Sequence, residues 1–515
     1  MSPTSGHAPR APRPSRSIHS TSATGSRRAR LAASLAAVAL GGSLLAAPPA
    51  TAQTVAAQPM SSLEMASDFS GANAFYMPPE QIPSAPGSLI RQEPMTLNVT
   101  VPNFEGPWPG RAERFMYTSV NSNKETVAVT GMNMEPTAEW TGEGPRPTIV
   151  IGSGTIGQGD QCAPSRLAPT MLGIDLEQPS LGINYELLFA NLMLRDGVRV
   201  VMTDYIGLGT PGTHTYMNRV DQGHAMLDAA RVLPALTGEE SPVGFWGYSQ
   251  GGGAAAAAAE MAETYAPEVD VRATYAGAPP ADLEVVAGAV DRNLIVGVLG
   301  YTINGLLQAH PESVPVVENI ISPLGKEVLH GTHTQCIGDS IIAYGALGAT
   351  HPSPTTLMTN DGRTIQEHIR SNPKLKAMVD RQLIGTMRPN APVLVVNNIN
   401  DDAIPHDQAA ALAERWRGLG ADVEFRSMPL PSILPRFAIG HLGPMPLGFF
   451  DAKDWLIGQF KGVDVAPGSS TEGSAALPSG SAEMPAEPAG TPAGLPAGLP
   501  ELPAGLPAMQ AGFGE

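Results

Sequence analysis

The sequence predicts an α/β fold, a mainly parallel sheet with helices on both faces and one long helical insertion. Three observations predict it. From Pro147 to Ala276, short runs rich in β-branched residues alternate with helix-like runs, the pattern of strands joined by helical crossovers. Within them, Val243 to Trp246, then Gly247-Tyr248-Ser249-Gln250-Gly251, then the alanines Ala254 to Ala259 read as strand, pinched turn and helix start. The alternation then stops near Ala278 and resumes only at Ala391-Pro392-Val393, a gap too long for a plain loop.

In chain order, residues 1–52 read as an export signal. Arg10, Arg13, Arg16, Arg27, Arg28 and Arg30 precede any acidic residue, a charge-free run extends from Leu31 to Ala47, and Ala50-Thr51-Ala52 offers a cleavage site. The expected location is therefore outside the cell, with envelope association open; Ser26-Arg27-Arg28 leaves both the general and the twin-arginine route open. Residues 53–277 form the first part of the sheet core. A proline-stiffened segment (Phe75 to Pro86) precedes a hairpin around Asn121-Ser122-Asn123 and the buried strand Pro147 to Gly152. Next come an amphipathic helix (Tyr185 to Arg195), a strand (Val198 to Asp204), a helix (Asp221 to Leu233), the Val243 strand and a strand at Val271 to Ala276.

Residues 278–389 read as a helical cap. Val290, Leu294, Ile295, Val298, Leu299, Ile303, Leu306 and Leu307 make it more apolar than a surface insertion needs to be. Residues 390–464 resume the sheet, with strands at Ala391 to Val396 and Val423 to Met428 and a last helix expected over Ala452 to Lys461. Residues 465–515 repeat Pro-Ala-Gly-Leu (Pro492, Pro496, Pro503) and lack the bulky apolar content for a core, so they read as a disordered tail and a candidate contact with the cell envelope.

The formal charge of −17, from 31 basic and 48 acidic residues, argues against nucleic acid as a partner. The two cysteines, Cys162 and Cys336, are an even number in an exported chain and are expected to pair.

In a chain with 56 glycines, Gly-x-Ser-x-Gly alone has little weight; it gains weight from the order of the residues after it. Serine is a weak nucleophile until a histidine takes its proton, and an acid must hold that histidine. In this architecture the order is serine, acid, histidine. The strand Val393 to Val396 leads into Asn400-Asp401-Asp402-Ala403-Ile404-Pro405. Asp401 is preferred over Asp402 because it stands four residues before the proline. Two histidines lie beyond the acid: His406 shares the acid's loop and suits a helix start, whereas His441, in Ile439-Gly440-His441-Leu442-Gly443, lies past the last strand. The tetrahedral oxyanion would need the Gln250 backbone N–H and a second donor from the loop Gly152 to Cys162. Gly152-x-Gly154-x-x-Gly157 is rejected as a nucleotide fingerprint because it enters no clear helix. His330, His333, Cys336 and Asp339 are read as a disulfide-anchored cap loop rather than a metal site, and no metal or organic cofactor is implied.

The motifs Phe75-Tyr76-x-Pro78-Pro79, Gly154-Thr155-x-Gly157-x-Gly159-Asp160-x-Cys162-Ala163-Pro164-Ser165, Asp204-Tyr205-x-Gly207-Leu208-Gly209 and Gly247-Tyr248-Ser249-Gln250-Gly251 resemble the secretory lipases of the Candida antarctica lipase A type, over about residues 70 to 460. The resemblance implies an α/β-hydrolase with a helical cap that hydrolyses carboxylic esters, triacylglycerols included, with transient contact with a lipid interface. It implies that Asp160 supplies the second backbone donor and that Cys162 pairs with a cap cysteine, in agreement with Cys336. Competing expectations are an acyltransferase or serine peptidase with the same three residues, and a surface protein with no activity.

Overall fold

The computed structural model describes residues 74–99, 107–175 and 180–463, so the expected signal segment and tail lie outside the described residues. A nine-stranded sheet organises them. Its first part is antiparallel: β1 (Leu89–Met95), β2 (Gly110–Val120) and β3 (Thr126–Pro136). The rest, β4 (Thr148–Gly152), β7 (Arg199–Thr203), β8 (Val243–Tyr248), β9 (Val271–Gly277), β10 (Val393–Asn398) and β11 (Val423–Met428), is parallel. The strand order is β1-β2-β3-β7-β4-β8-β9-β10-β11. Strands β4, β7, β8 and β10 are buried along their whole length, which is why they read as apolar runs rather than as alternating ones.

The chain leaves β4 to form β7 on one side and returns to form β8 on the other. Such a reversal opens a crevice at the carboxyl ends of the strands concerned. Ser249 comes directly after β8 and so stands at that crevice.

Strands β9 and β10 are hydrogen-bonded neighbours, yet 115 residues separate Gly277 from Val393 in the chain. Everything between must leave and rejoin the sheet at one place. Among the described residues this stretch is helical, with helices at Leu283–Val290, Val298–Ala309, Val314–Ile320, Pro323–Thr332, Ile337–Thr350, Ile365–Ser371 and Pro373–Asp380. Its middle is fastened to the loop after β4 by the Cys162–Cys336 disulfide, by a bridge of Gly157 to Cys336, and by Ile337 N–H on Ile156 O at 2.7 Å. Its exit is held by Glu260, a fully buried carboxylate of the Gln250–Tyr265 helix. Glu260 accepts from the N–H groups of Gly385 (2.8 Å) and Thr386 (3.1 Å) and pairs with Arg219.

Several elements differ from the sequence reading. Strand β1 and the short hairpin β5 (Leu172–Asp175) and β6 (Ser180–Ile183) lack an apolar run to announce them. The helices Pro323–Thr332 and Pro373–Asp380, absent from the sequence reading, both open on a proline, which is tolerated in a first turn whose N–H groups have no intrahelical partner. The same reason starts the last helix at Pro444, not Ala452; it runs Pro444–Lys461.

Candidate active site

Ser249 joins β8 to the Gln250–Tyr265 helix with φ +57° and ψ −122°, a region that costs a non-glycine residue about 1–3 kcal/mol. Its N–H is tied to Gly277 O of β9 at 2.9 Å. The turn closes only because its flanks lack side chains. A β-carbon on Gly247 would lie 2.0 Å from Gly251 O, and one on Gly251 would lie 2.0 Å from Gly152 O of β4. The buried alanines of the helix then let it lie flat on the sheet.

The turn after β10 brings two carboxylates together and separates their work. Asp401 Oδ1 accepts from the N–H groups of Ala403 (3.0 Å) and Ile404 (2.7 Å), while its Oδ2 lies 2.9 Å from His441 Nδ1. Asp402 takes the backbone instead: Oδ2 accepts from Ala438 N–H (2.9 Å) and Oδ1 from His441 N–H (3.2 Å). His441 sits in a single helical turn, Ile439–Leu442, rather than an open loop. A β-carbon on Gly440 would meet Asn400 O at 2.2 Å, so glycine allows the two loops to approach. Tyr248 Oη donates to His441 O at 2.6 Å.

His441 Nε2 lies 2.9 Å from Ser249 Oγ. A carboxylate oxygen only accepts, so Nδ1 carries the ring proton and Nε2 presents its lone pair to the serine hydroxyl. Burial works to lower the imidazole's pKa, but the charge and hydrogen bond of Asp401, joined by the charge of Asp402, hold it above the usual 6.5. Burial pushes the Asp402 carboxyl up from the ordinary range, against the pull of His441.

On the opposite side of Ser249, Gln250 is the first residue of the helix. Its side-chain Nε2 is 2.9 Å from His214 Nε2, and His214 Nδ1 is 3.2 Å from Ile206 O. Burial pulls His214 down to about 4, so it is neutral and locks Gln250 by accepting from the amide. The loop after β4 holds Gly154, whose N–H donates to Glu186 Oε1 at 3.2 Å, and Thr155, whose hydroxyl is 2.6 Å from Tyr216 Oη.

The expected donor Asp160 lies further along the same loop. Past Thr155 the loop bridges to Cys336 at Gly157, and Asp160 lies in a short 3₁₀ turn (Asp160–Cys162) with its carboxylate accepting from Gly209 N–H at 3.0 Å. It lines neither cavity at Ser249; Thr155 lines both. The larger cavity runs from Ser249 among Leu283, Val286, Val290, Leu299 and Leu306 of the helical stretch. The four residues Leu283, Val286, Ala287 and Val290 have the i, i+3, i+4, i+7 spacing of one helix face. The smaller lies on the His441 side.

Sequence reasoning gave no role to Glu186 or His214, nor to Thr155 and Tyr248, which it met only as motif residues. An acid at a helix start, such as Glu186, ordinarily reads as a partner of the helix dipole, and nothing local announces that it is buried. Of the His330, His333, Cys336 and Asp339 set, Cys336 is in the disulfide and Asp339 binds Leu181 N–H (2.7 Å) and Cys336 N–H (2.8 Å). Among the described residues no cluster of three or more His, Cys, Asp or Glu is placed to hold a metal.

Residues 173–468, more than half of the chain, match the family model described as secretory lipase. The chain belongs to the secretory lipase family. Among its relatives, the secreted triacylglycerol lipase LIP5 of Malassezia globosa is 26% identical over 274 residues, 52% of this chain and 54% of that protein. The chain thus spans about half the length of that relative. The probable inactive lipase MT1628 of Mycobacterium tuberculosis is 25% identical over 368 residues, 68% of this chain and 75% of that one. Candida antarctica lipase A in its closed state superimposes with a TM-score of 0.63 at 19% identity, covering 76% of this chain and 86% of that one. A ligand-bound form of the rice cell wall degrading esterase LipA of Xanthomonas oryzae gives 0.58 at 19%, covering 72% and 99%. These likenesses are of fold, and the fold of this secretory lipase family member is that of the α/β-hydrolases.

Proposed function

We propose that this family member is an exported serine hydrolase of carboxylic esters, of the triacylglycerol lipase type. The observation that carries the reading is the continuous contact from Asp401 through His441 to Ser249 at the mouth of an apolar cavity. In this reading His441 Nε2 takes the proton of Ser249 Oγ as the oxygen attacks the ester carbonyl. Asp401 holds the ring in the tautomer that leaves Nε2 free and stabilises the imidazolium that forms. The oxyanion meets two N–H groups, those of Gln250 and Thr155. Each such donor is worth about 10²–10³ in rate. Thr155 replaces Asp160 in this role because it, and not Asp160, shares both cavities with the serine.

The alcohol leaves with the proton from His441, an acyl-serine remains, and water enters by the same route to release the acid. The larger cavity takes the acyl chain, and the helical stretch 278–389 acts as its cap. The names of the secreted relatives and the basic, then apolar, amino-terminal segment support release outside the cell. One relative is named inactive, so activity has to be measured. Trioctanoin and p-nitrophenyl octanoate should both be hydrolysed, and Ser249→Ala should lose turnover by about 10⁴–10⁶. A folded wild type that hydrolyses neither would refute the reading.

A further inference from the structure

Ser249 and Thr155 lie at the junction of two cavities, and only the smaller is also lined by His441. That difference orients the substrate. When the tetrahedral intermediate collapses, the bond from the acyl carbon to the alcohol oxygen breaks. The proton held on His441 Nε2 passes to that oxygen. The alcohol half must therefore lie on the histidine side and the acyl half on the other.

The side chains of the smaller cavity include Leu181, Ile183, Ile337, Ile341, Leu442 and Met445. Its polar groups are already engaged in part: Tyr248 Oη on His441 O and the His441 ring between Asp401 and Ser249. No carboxylate, ammonium or guanidinium lines it among the described residues. An alcohol half bearing several hydroxyls or a charge would lose its hydration there without compensation. An apolar chain would not.

We propose that the smaller cavity is a binding site for an apolar chain on the leaving-alcohol side, so that the preferred substrates are apolar on both sides of the scissile carbonyl. The inference rests on the serine-hydrolase reading of Ser249, Asp401 and His441. Two sources share this chemistry: the alkyl chain of a long monohydric alcohol, and a neighbouring acyl chain of a glyceride.

The test holds the acyl group at octanoate and varies the alcohol through ethanol, butanol and octanol, with trioctanoin beside them. For the wild type, kcat/KM should rise roughly two- to fourfold per added methylene until the cavity fills. Ile341→Trp, which fills only this cavity, should flatten that rise and leave ethyl octanoate within about threefold of wild type. Leu181→Phe serves the same purpose if the tryptophan variant fails to fold. Val286→Trp, in the larger cavity, should change the dependence on acyl length instead. A loss on trioctanoin in Ile341→Trp identifies a second acyl chain as occupant; a loss confined to octyl octanoate identifies the monohydric alcohol. A wild-type rate that is flat or falling with alcohol length would overturn the proposal, as would an Ile341→Trp variant that shifts acyl preference alone. Hydrolysis of ethyl octanoate, abolished in Ser249→Ala, reports separately on the hydrolase reading.

Discussion

Replacing Glu186 by glutamine isolates one buried proton. The Glu186 side chain is 0% exposed, Oε1 accepts from Gly154 N–H, and Oε2 has no partner among the described residues. Burial pushes its carboxyl from 4.5 up to about 8, only partly offset by the Gly154 bond. The titratable groups facing it, the phenols of Tyr185, Tyr205 and Tyr275, are themselves raised by burial and stay neutral throughout this range. Between the two pKa values the folded protein keeps a proton that the unfolded chain releases, so stability falls as pH rises. At about 1.36 kcal/mol per unit, the wild type should lose roughly 2–4 kcal/mol between about pH 5 and pH 8 that the glutamine variant keeps. Glutamine preserves the acceptor for Gly154 and removes the titration. The assay is urea unfolding of both proteins, disulfide intact, at pH 5, 6, 7 and 8. Parallel stability profiles would refute the reasoning, because a group that does not titrate differently in the two states cannot produce a slope.

The two aspartates after β10 should separate by kinetics. Asp401→Asn is expected to lower kcat by about 10³–10⁴ by mispresenting the ring, and to move the acidic limb of kcat/KM downward as His441 loses the charge that raises it. Asp402→Asn should cost much less in kcat and show chiefly as a lower melting temperature, since its bonds are to the backbone of Ala438 and His441. Replacing Cys162 and Cys336 by serine opens a link across 174 residues and should cost about 2–5 kcal/mol, measured by urea unfolding against the oxidised protein. Gly251→Ala, with its β-carbon 2.0 Å from Gly152 O, should fail to give folded protein, judged by near-ultraviolet circular dichroism.

A buried parallel strand or a tight turn constrains composition strongly, and those constraints were legible in the sequence. Strands β4, β7, β8 and β10 are apolar because both faces are covered, and the elbow glycines have no alternative. Ser249, Asp401 and His441 could be named because the order of elements limits which acid and which histidine can reach the serine. The proline four residues past Asp401 separated it from Asp402, and the structure puts Asp401 on the imidazole. Less legible was anything set by packing between distant segments. Thr155 lines both cavities at Ser249, while two residues on Gly157 is bridged to Cys336, a partner far off in the chain. Glu186 and His214 look like ordinary helix-start and loop residues until burial is known. The helices opening on Pro323 and Pro373 were missed because a proline at a first turn and a proline in a loop look alike until the spatial neighbours are known.

The proposed mechanism depends most on a covalent step at Ser249. Intact-mass measurement of the folded protein after exposure to an alkyl fluorophosphonate tests it most directly. One adduct per chain, located on the peptide carrying Ser249 and absent from Ser249→Ala, is the expected result. An unmodified wild type, or an adduct elsewhere while Ser249→Ala still hydrolyses esters, would contradict it.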